Sequence, residues 1–214
     1  MRLDHVSYVA SHDQISDVVN RIGSQIGTAF IDGGIHPRFG TRNFTAPLLN
    51  RQYIEVVCPM DHPATEATPF GRAVKKKSDS GGGWLSWVIA TESINQIEVK
   101  LGRKSIEGQR KKPDGSELKW KQIGVLATLE DAQLPFFIEW VSKNHPSTDG
   151  APVAKISKIE MSGDENKISD WINQPSSKVA EGIEIIWRKA QEKDDETGIL
   201  SVEFKFQSNT VSIF

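Results

Sequence analysis

The sequence predicts an α+β protein of two tandem β-α-β-β-β modules forming a cupped mixed sheet, with a partial third αβ module packed on the body. Three observations predict it. The same element order runs twice along the chain, a Gly-Ser stretch divides the two passes, and a short echo closes each one. The first pass ends Tyr53-Ile54-Glu55-Val56-Val57 before His62-Pro63, and the second ends Phe137-Ile138-Glu139-Trp140-Val141 before His145-Pro146. The spacing of the two glutamates is far longer than a solenoid repeat, so a duplicated module is the reading. The modules cover residues 1–65 and 83–146, with a linker over 66–82 and the partial module over 147–214.

In the first module, residues 3–10 alternate as a strand with His5, Ser7 and Val9 on one face. Ser11 or Asp13 offers a cap for a helix whose stripe is Ile15, Val18, Val19 and Ile22, and Gly23 offers its end. A short strand over 28–31, a Gly33-Gly34 turn and an extended, polar 39–45 follow. Residues 52–58 form the clearest strand, stopped by Pro59. Between modules, 69–77 reads as a helix and 78–83 as the linker proper. The second module takes a strand over 84–90, a helix over 92–101, and a strand over 103–112 with a Pro113-Asp114-Gly115 turn. An extended stretch over 118–129 and a strand over 135–141 complete it. Beyond it, 153–161 reads as a strand and 164–172 as a helix. Residues 182–189 and 199–206 read as a hairpin around the acidic loop 192–198, and 211–214 as an apolar end docked on the body.

A formal charge of -2 argues against a nucleic-acid partner led by phosphate neutralisation. One cysteine, Cys58, excludes an intrachain disulfide framework and a thiolate cluster. No apolar run is long enough to span a bilayer, and the opening strand soon meets His12 and Asp13, unlike a signal peptide. A cytoplasmic protein with no membrane or nucleic-acid partner, and a weak lean toward a homodimer, is the expectation.

Two groups of residues carry candidate chemistry. His5 and Glu55 lie in the first and last strands of one module, and imidazole with carboxylate suits zinc, manganese, iron or nickel. Glu139 joins them through the echo, and Glu55 is the candidate catalytic base if the protein is an enzyme. The second module offers only Leu85 or Ser86 where His5 should recur, which breaks the quartet. The second group is the segment 33–44, in which His36, Arg38, Arg42 and Asn43 gather donors suited to a carboxylate or phosphate. Strand parity favours Arg38 and Arg42 on one face, away from Asn43. Trp84 and Trp140 are candidate apolar walls for such a pocket. No phosphate loop, dinucleotide fingerprint, nucleophile elbow or His-Glu-x-x-His is present.

Leu3-Asp4-His5-Val6, Gly40-Thr41-Arg42-Asn43 with Pro47-Leu48, and Tyr53-Ile54-Glu55 together resemble a glyoxalase-like domain of the vicinal oxygen chelate superfamily, which also holds bleomycin-resistance proteins and dioxygenases. The resemblance is strongest over residues 2–63. It implies paired modules cupped around a small-molecule site, with a divalent metal held by first and last strands, a pattern falling on His5, Glu55 and Glu139. It also admits members whose cup only binds. The expectation is a cup holding a small organic anion without a complete metal site; a metal-dependent lyase, isomerase or dioxygenase acting on vicinal oxygens is the alternative.

Overall fold

Val, Ile and aromatic side chains at alternating positions make the strands, and the face each strand buries decides where its polar residues go. The computed structural model describes residues 1–112, 115–189 and 196–214. The first module is β1 (Arg2–Val9), α1 (Ile15–Ile26), β2 (Ile31–His36), β3 (Thr41–Leu48) and β4 (Gln52–Pro59). Two helices follow, α2 (Pro63–Ala67) and α3 (Pro69–Asp79), each opening on a proline that needs no amide partner there. The second module is β5 (Gly83–Ala90), α4 (Ile94–Leu101), β6 (Ile106–Lys111), β7 (Glu117–Ile123), α5 (Val125–Glu130) and β8 (Phe136–Trp140). A 3-10 turn at Pro146–Thr148 leads to β9 (Ala154–Ser162), α6 (Glu165–Ile172), α7 (Ser176–Val179), β10 (Glu184–Arg188), β11 (Gly198–Phe206) and β12 (Asn209–Ile213).

Eight strands close a barrel in the order β1-β4-β3-β2-β6-β7-β8-β5. Within each module the first and last strands lie parallel, β1 on β4 and β5 on β8. The modules join through a long antiparallel β1–β5 ladder and, opposite it, through the pair Ile35–Lys111 between β2 and β6. The cup expected from sequence is therefore a barrel with a thin seam.

The last strands form a separate sheet, β10-β9-β11-β12. The hairpin expected from 182–189 and 199–206 is not formed. β10 arrives through α6 and α7 and so runs parallel to β9, whereas β11 pairs antiparallel on the other edge of β9. The real hairpin joins β11 to β12. Residues 192–195 of the acidic loop, and Pro113 and Asp114 of the expected turn, lie outside the described residues. One core joins Ile22 and Ile26 of α1 with Leu3, Val6 and Trp87 on the barrel's outer face and Ile156 and Phe204 of this sheet. The C-terminus does dock: Trp84 Nε1 donates to the Ile213 carbonyl at 3.0 Å, and Tyr8 to that of Phe214 at 3.3 Å.

Local chemistry moved several boundaries. α1 runs past Gly23 and ends at Gly27, whose φ of 67° suits a left-handed cap; no side chain caps its start at Gln14. Gly33 and Gly34 sit inside β2 at a bulge rather than in a turn. The stretch 118–129 breaks at Gly124 into β7 and α5. The two His-Pro pairs cap helical turns, with His62 and His145 accepting from the amides of Ala64 and Ser147. Among the described residues no helix is long and apolar enough to cross a membrane.

Candidate functional site

One level of the barrel interior is polar across four strands. Thr45, Glu55, Ser7 and Ser86 are successive register partners on β3, β4, β1 and β5. The Glu55 carboxylate accepts from Ser7 Oγ at 2.7 Å and from Asn43 Nδ2 at 2.6 Å. The hydroxyls of Thr45 and Ser86, on either side of that pair, have no hydrogen-bond partner among the described residues. Burial pushes the Glu55 carboxyl up, but His5 and His36, with the Ser7 and Asn43 hydrogen bonds, outweigh it and hold the group below its ordinary value.

Next along β1, His5 stacks on Tyr53 with ring centroids 4.3 Å apart. Its Nδ1 meets Asp4 Oδ2 at 3.0 Å, and its Nε2 lies 3.9 Å from Glu55 Oε2. Consecutive strand residues normally face opposite ways; here a register shift between Leu3 and His5 accompanies their meeting. Asp4 is fully buried and also accepts from Arg2 Nη2 at 2.7 Å, His145 Nε2 at 3.1 Å and Trp140 Nε1 at 3.1 Å. Burial alone would raise its carboxyl. The hydrogen bonds and charges of His145 and His5 win and hold it far below its ordinary 3.8.

From β6, Arg110 enters the barrel only 3% exposed, and its Nη1 donates to Asn43 Oδ1 at 2.9 Å. Asn43 thus stands between the Arg110 cation and the Glu55 anion. No carboxylate pairs with Arg110 directly among the described residues. Gly33 makes room for this arrangement: a Cβ there would lie 1.8 Å from Arg110 Nη1 and 2.1 Å from Asn43 Oδ1. Gly33→Ala is therefore expected to lose about 1–3 kcal/mol of stability by displacing both groups, readable by urea unfolding; wild-type stability would show that Arg110 has another resting place.

His36, at the end of β2, bonds Thr41 Oγ1 through Nδ1 at 3.0 Å. Burial, helped by Arg110 and opposed by Glu55, lowers it from 6.5 to about 4. It is neutral at pH 7. Because the unfolded chain binds the proton more readily, stability falls as pH drops from 6.5 toward 4, by on the order of 3 kcal/mol. Urea midpoints across that window should flatten in His36→Gln; an unchanged slope would assign the loss to another group.

His5, His36, Asn43, Tyr53, Glu55 and Arg110 surround a cavity of about 30 Å³, walled also by Phe39, Phe70, Trp120, Phe136 and Trp140. That is room for about two waters.

The sequence-named residues divide. His5, His36, Asn43, Glu55 and Trp140 line this cavity. Glu139 does not, because alternation along β8 turns Phe136, Ile138 and Trp140 inward and Glu139 out. There Glu139 accepts the amide of Ile94 at 2.6 Å, at the start of α4. Arg42 also points out, bonded to Asp32 at 2.5 Å and lying over Phe44. Trp84 packs on the outer face against Tyr8. Arg38, in the turn after β2, lines a different cavity.

The residues do not assemble the metal set that the resemblance implies. Among the described residues no three His, Cys, Asp or Glu side chains are grouped to hold an ion. Both Glu55 oxygens are already engaged, and β8 sends Phe136 and Ile138 where a second-module ligand would stand. Sequence reasoning missed Asp4, Tyr53 and Arg110. Parity along β6, which buries Gly108 and Arg110 while exposing Glu107 and Gln109, was the available signal for the last.

A family model described as a glyoxalase-like domain matches residues 3–174. No curated protein matches the chain. Among solved structures, a hypothetical protein from Staphylococcus aureus is similar with a TM-score of 0.69 and 18% identity, over 100% of this chain and 95% of that one. Methylmalonyl-CoA epimerase from Mycobacterium tuberculosis is similar at a TM-score of 0.42 and 12% identity, over 65% of this chain and 86% of that one. A match to most of the chain, with paired β-α-β-β-β modules closing one barrel, places it: the protein belongs to the glyoxalase-like domain family of the vicinal oxygen chelate superfamily.

Proposed function

We propose that the barrel binds a small organic acid, with Arg110 as the cation that holds it. The observation that carries this reading is a buried guanidinium with no carboxylate of its own among the described residues. Burying a charge is costly unless it is paired, so such a group calls for an anion. Arg110 spends one N–H on Asn43, which fixes its direction and leaves further donors in a fork that matches a carboxylate. Glu55 acts on it only across a gap and makes no direct pair, since Asn43 separates the two and Ser7 occupies the other carboxylate oxygen. The aromatic walls lower the local dielectric, which strengthens the contact. The acid is held inside the barrel from β6 and not by Arg42, whose guanidinium points out onto Asp32. Titration calorimetry of the full chain with short monocarboxylates should give one-to-one binding; no heat with any acid would refute it.

A further inference from the structure

The inner cavity holds an acid group and little more, and one of its walls is shared. Trp120 lines it from β7, and the same side chain lines a second cavity of about 230 Å³ bounded by Arg38, Glu107, Lys119, Val141 and the backbone of Gly108. Gly108 and Trp120 are cross-strand partners, and a Cβ at Gly108 would lie 2.3 Å from the indole. The indole therefore packs against bare backbone, and the one side chain borders both cavities. Its Nε1 donates to Gln122 Oε1 at 2.8 Å, and the ring packs against His36, Phe39 and Trp140. Toward the turn that carries Arg38, no ladder pair beyond Ile35–Lys111 joins β2 to β6 among the described residues, so the outer cavity stands at the seam.

Its charge is uneven. The Arg38 guanidinium has no partner among the described residues. Among the described residues Lys119 Nζ meets only its near neighbour Glu117 at 3.2 Å, both side chains more than half exposed. Glu107 sets one carboxylate against these two cations.

We infer that the outer cavity is a second anion subsite, taking the far acidic group of a ligand whose near carboxylate is held by Arg110. The ligand class is then a small diacid, a dicarboxylate or a phosphorylated carboxylic acid, reaching from one cavity to the other along the edge of the Trp120 ring that lines both. This rests on the reading of Arg110 and extends it: the inner space is too small for a whole metabolite, and the outer one supplies the missing volume together with an unpaired guanidinium.

The test is calorimetry of the full chain with linear dicarboxylates from malonate to pimelate, with phosphonoacetate and 3-phosphonopropionate, and with monocarboxylates of equal length. One diacid length should bind about tenfold or more tighter than its monoacid, as a second charged contact implies, and Arg38→Gln should bring it down to the monoacid's affinity. Whether the carboxylate or the phosphonate gains more identifies the far group. Diacids no tighter than monoacids, or a gain that survives Arg38→Gln combined with Lys119→Gln, would overturn the second subsite while leaving Arg110 standing. Failure of every acid to bind would overturn both readings.

Discussion

Arg110→Gln is expected to weaken acid binding by about 2–5 kcal/mol, the cost of removing one partner from a desolvated charged contact. That is between roughly thirtyfold and several thousandfold in Kd. Arg110→Lys should recover only part of the loss, because a point charge replaces the fork. The unliganded protein should respond in the opposite sense. A glutamine amide ends two bonds short of Nη1 and gives up the bond to Asn43 Oδ1 that Arg110 now makes, but it also removes a buried charge, which costs more to bury than one such hydrogen bond returns. Arg110→Gln should therefore match or exceed wild-type stability in urea. The two readouts separate the roles: binding lost with stability kept assigns Arg110 to the ligand, whereas stability lost with binding kept would make it a piece of the core.

How much of this could be read in advance depended on strand parity. β1 and β4 read correctly because they pair with each other without a register shift from His5 to Val9, and His5, Ser7 and Glu55 emerge on one face as expected. The echo around Glu139 misled for the same physical reason. In β4 the glutamate faces the interior, whereas in β8 it faces outward, because alternation there seats Ile138 and Trp140 inside; a shift of one residue reverses every side chain of a strand. The likeness of the two sequences lies in composition, not in facing. Arg42 and Asn43 show the converse. Parity separated them correctly, and the arginine, which drew attention by its chemistry, is the outward one. The Asp4–His5 contact was illegible because it accompanies a local shift in register, and the third sheet because two short helices carry β10 to the side of β9 that a hairpin would not reach.

Asp4 carries the largest expected effect on stability. Its carboxylate is fully buried and accepts from Arg2, His5, Trp140 and His145, tying β1 to β8 and to the 3-10 turn after it. Asp4→Ala leaves these donors facing a void, and removing one partner of a buried ionic cluster costs about 3–5 kcal/mol. Asp4→Asn keeps one acceptor oxygen and the volume, so it should fold and lose less. The pH dependence gives an independent check. The folded pKa of Asp4 is depressed below 3.8, so its contribution is fully present above that value and is lost as pH falls below it toward the folded pKa. That window lies beneath the one assigned to His36, between 6.5 and about 4. Urea unfolding at pH 7, 5 and 3 should show Asp4→Asn destabilised at pH 7 and closing on wild type at pH 3. A constant gap between the two proteins at all three values would mean that the Asp4 charge contributes nothing and that only its shape is needed.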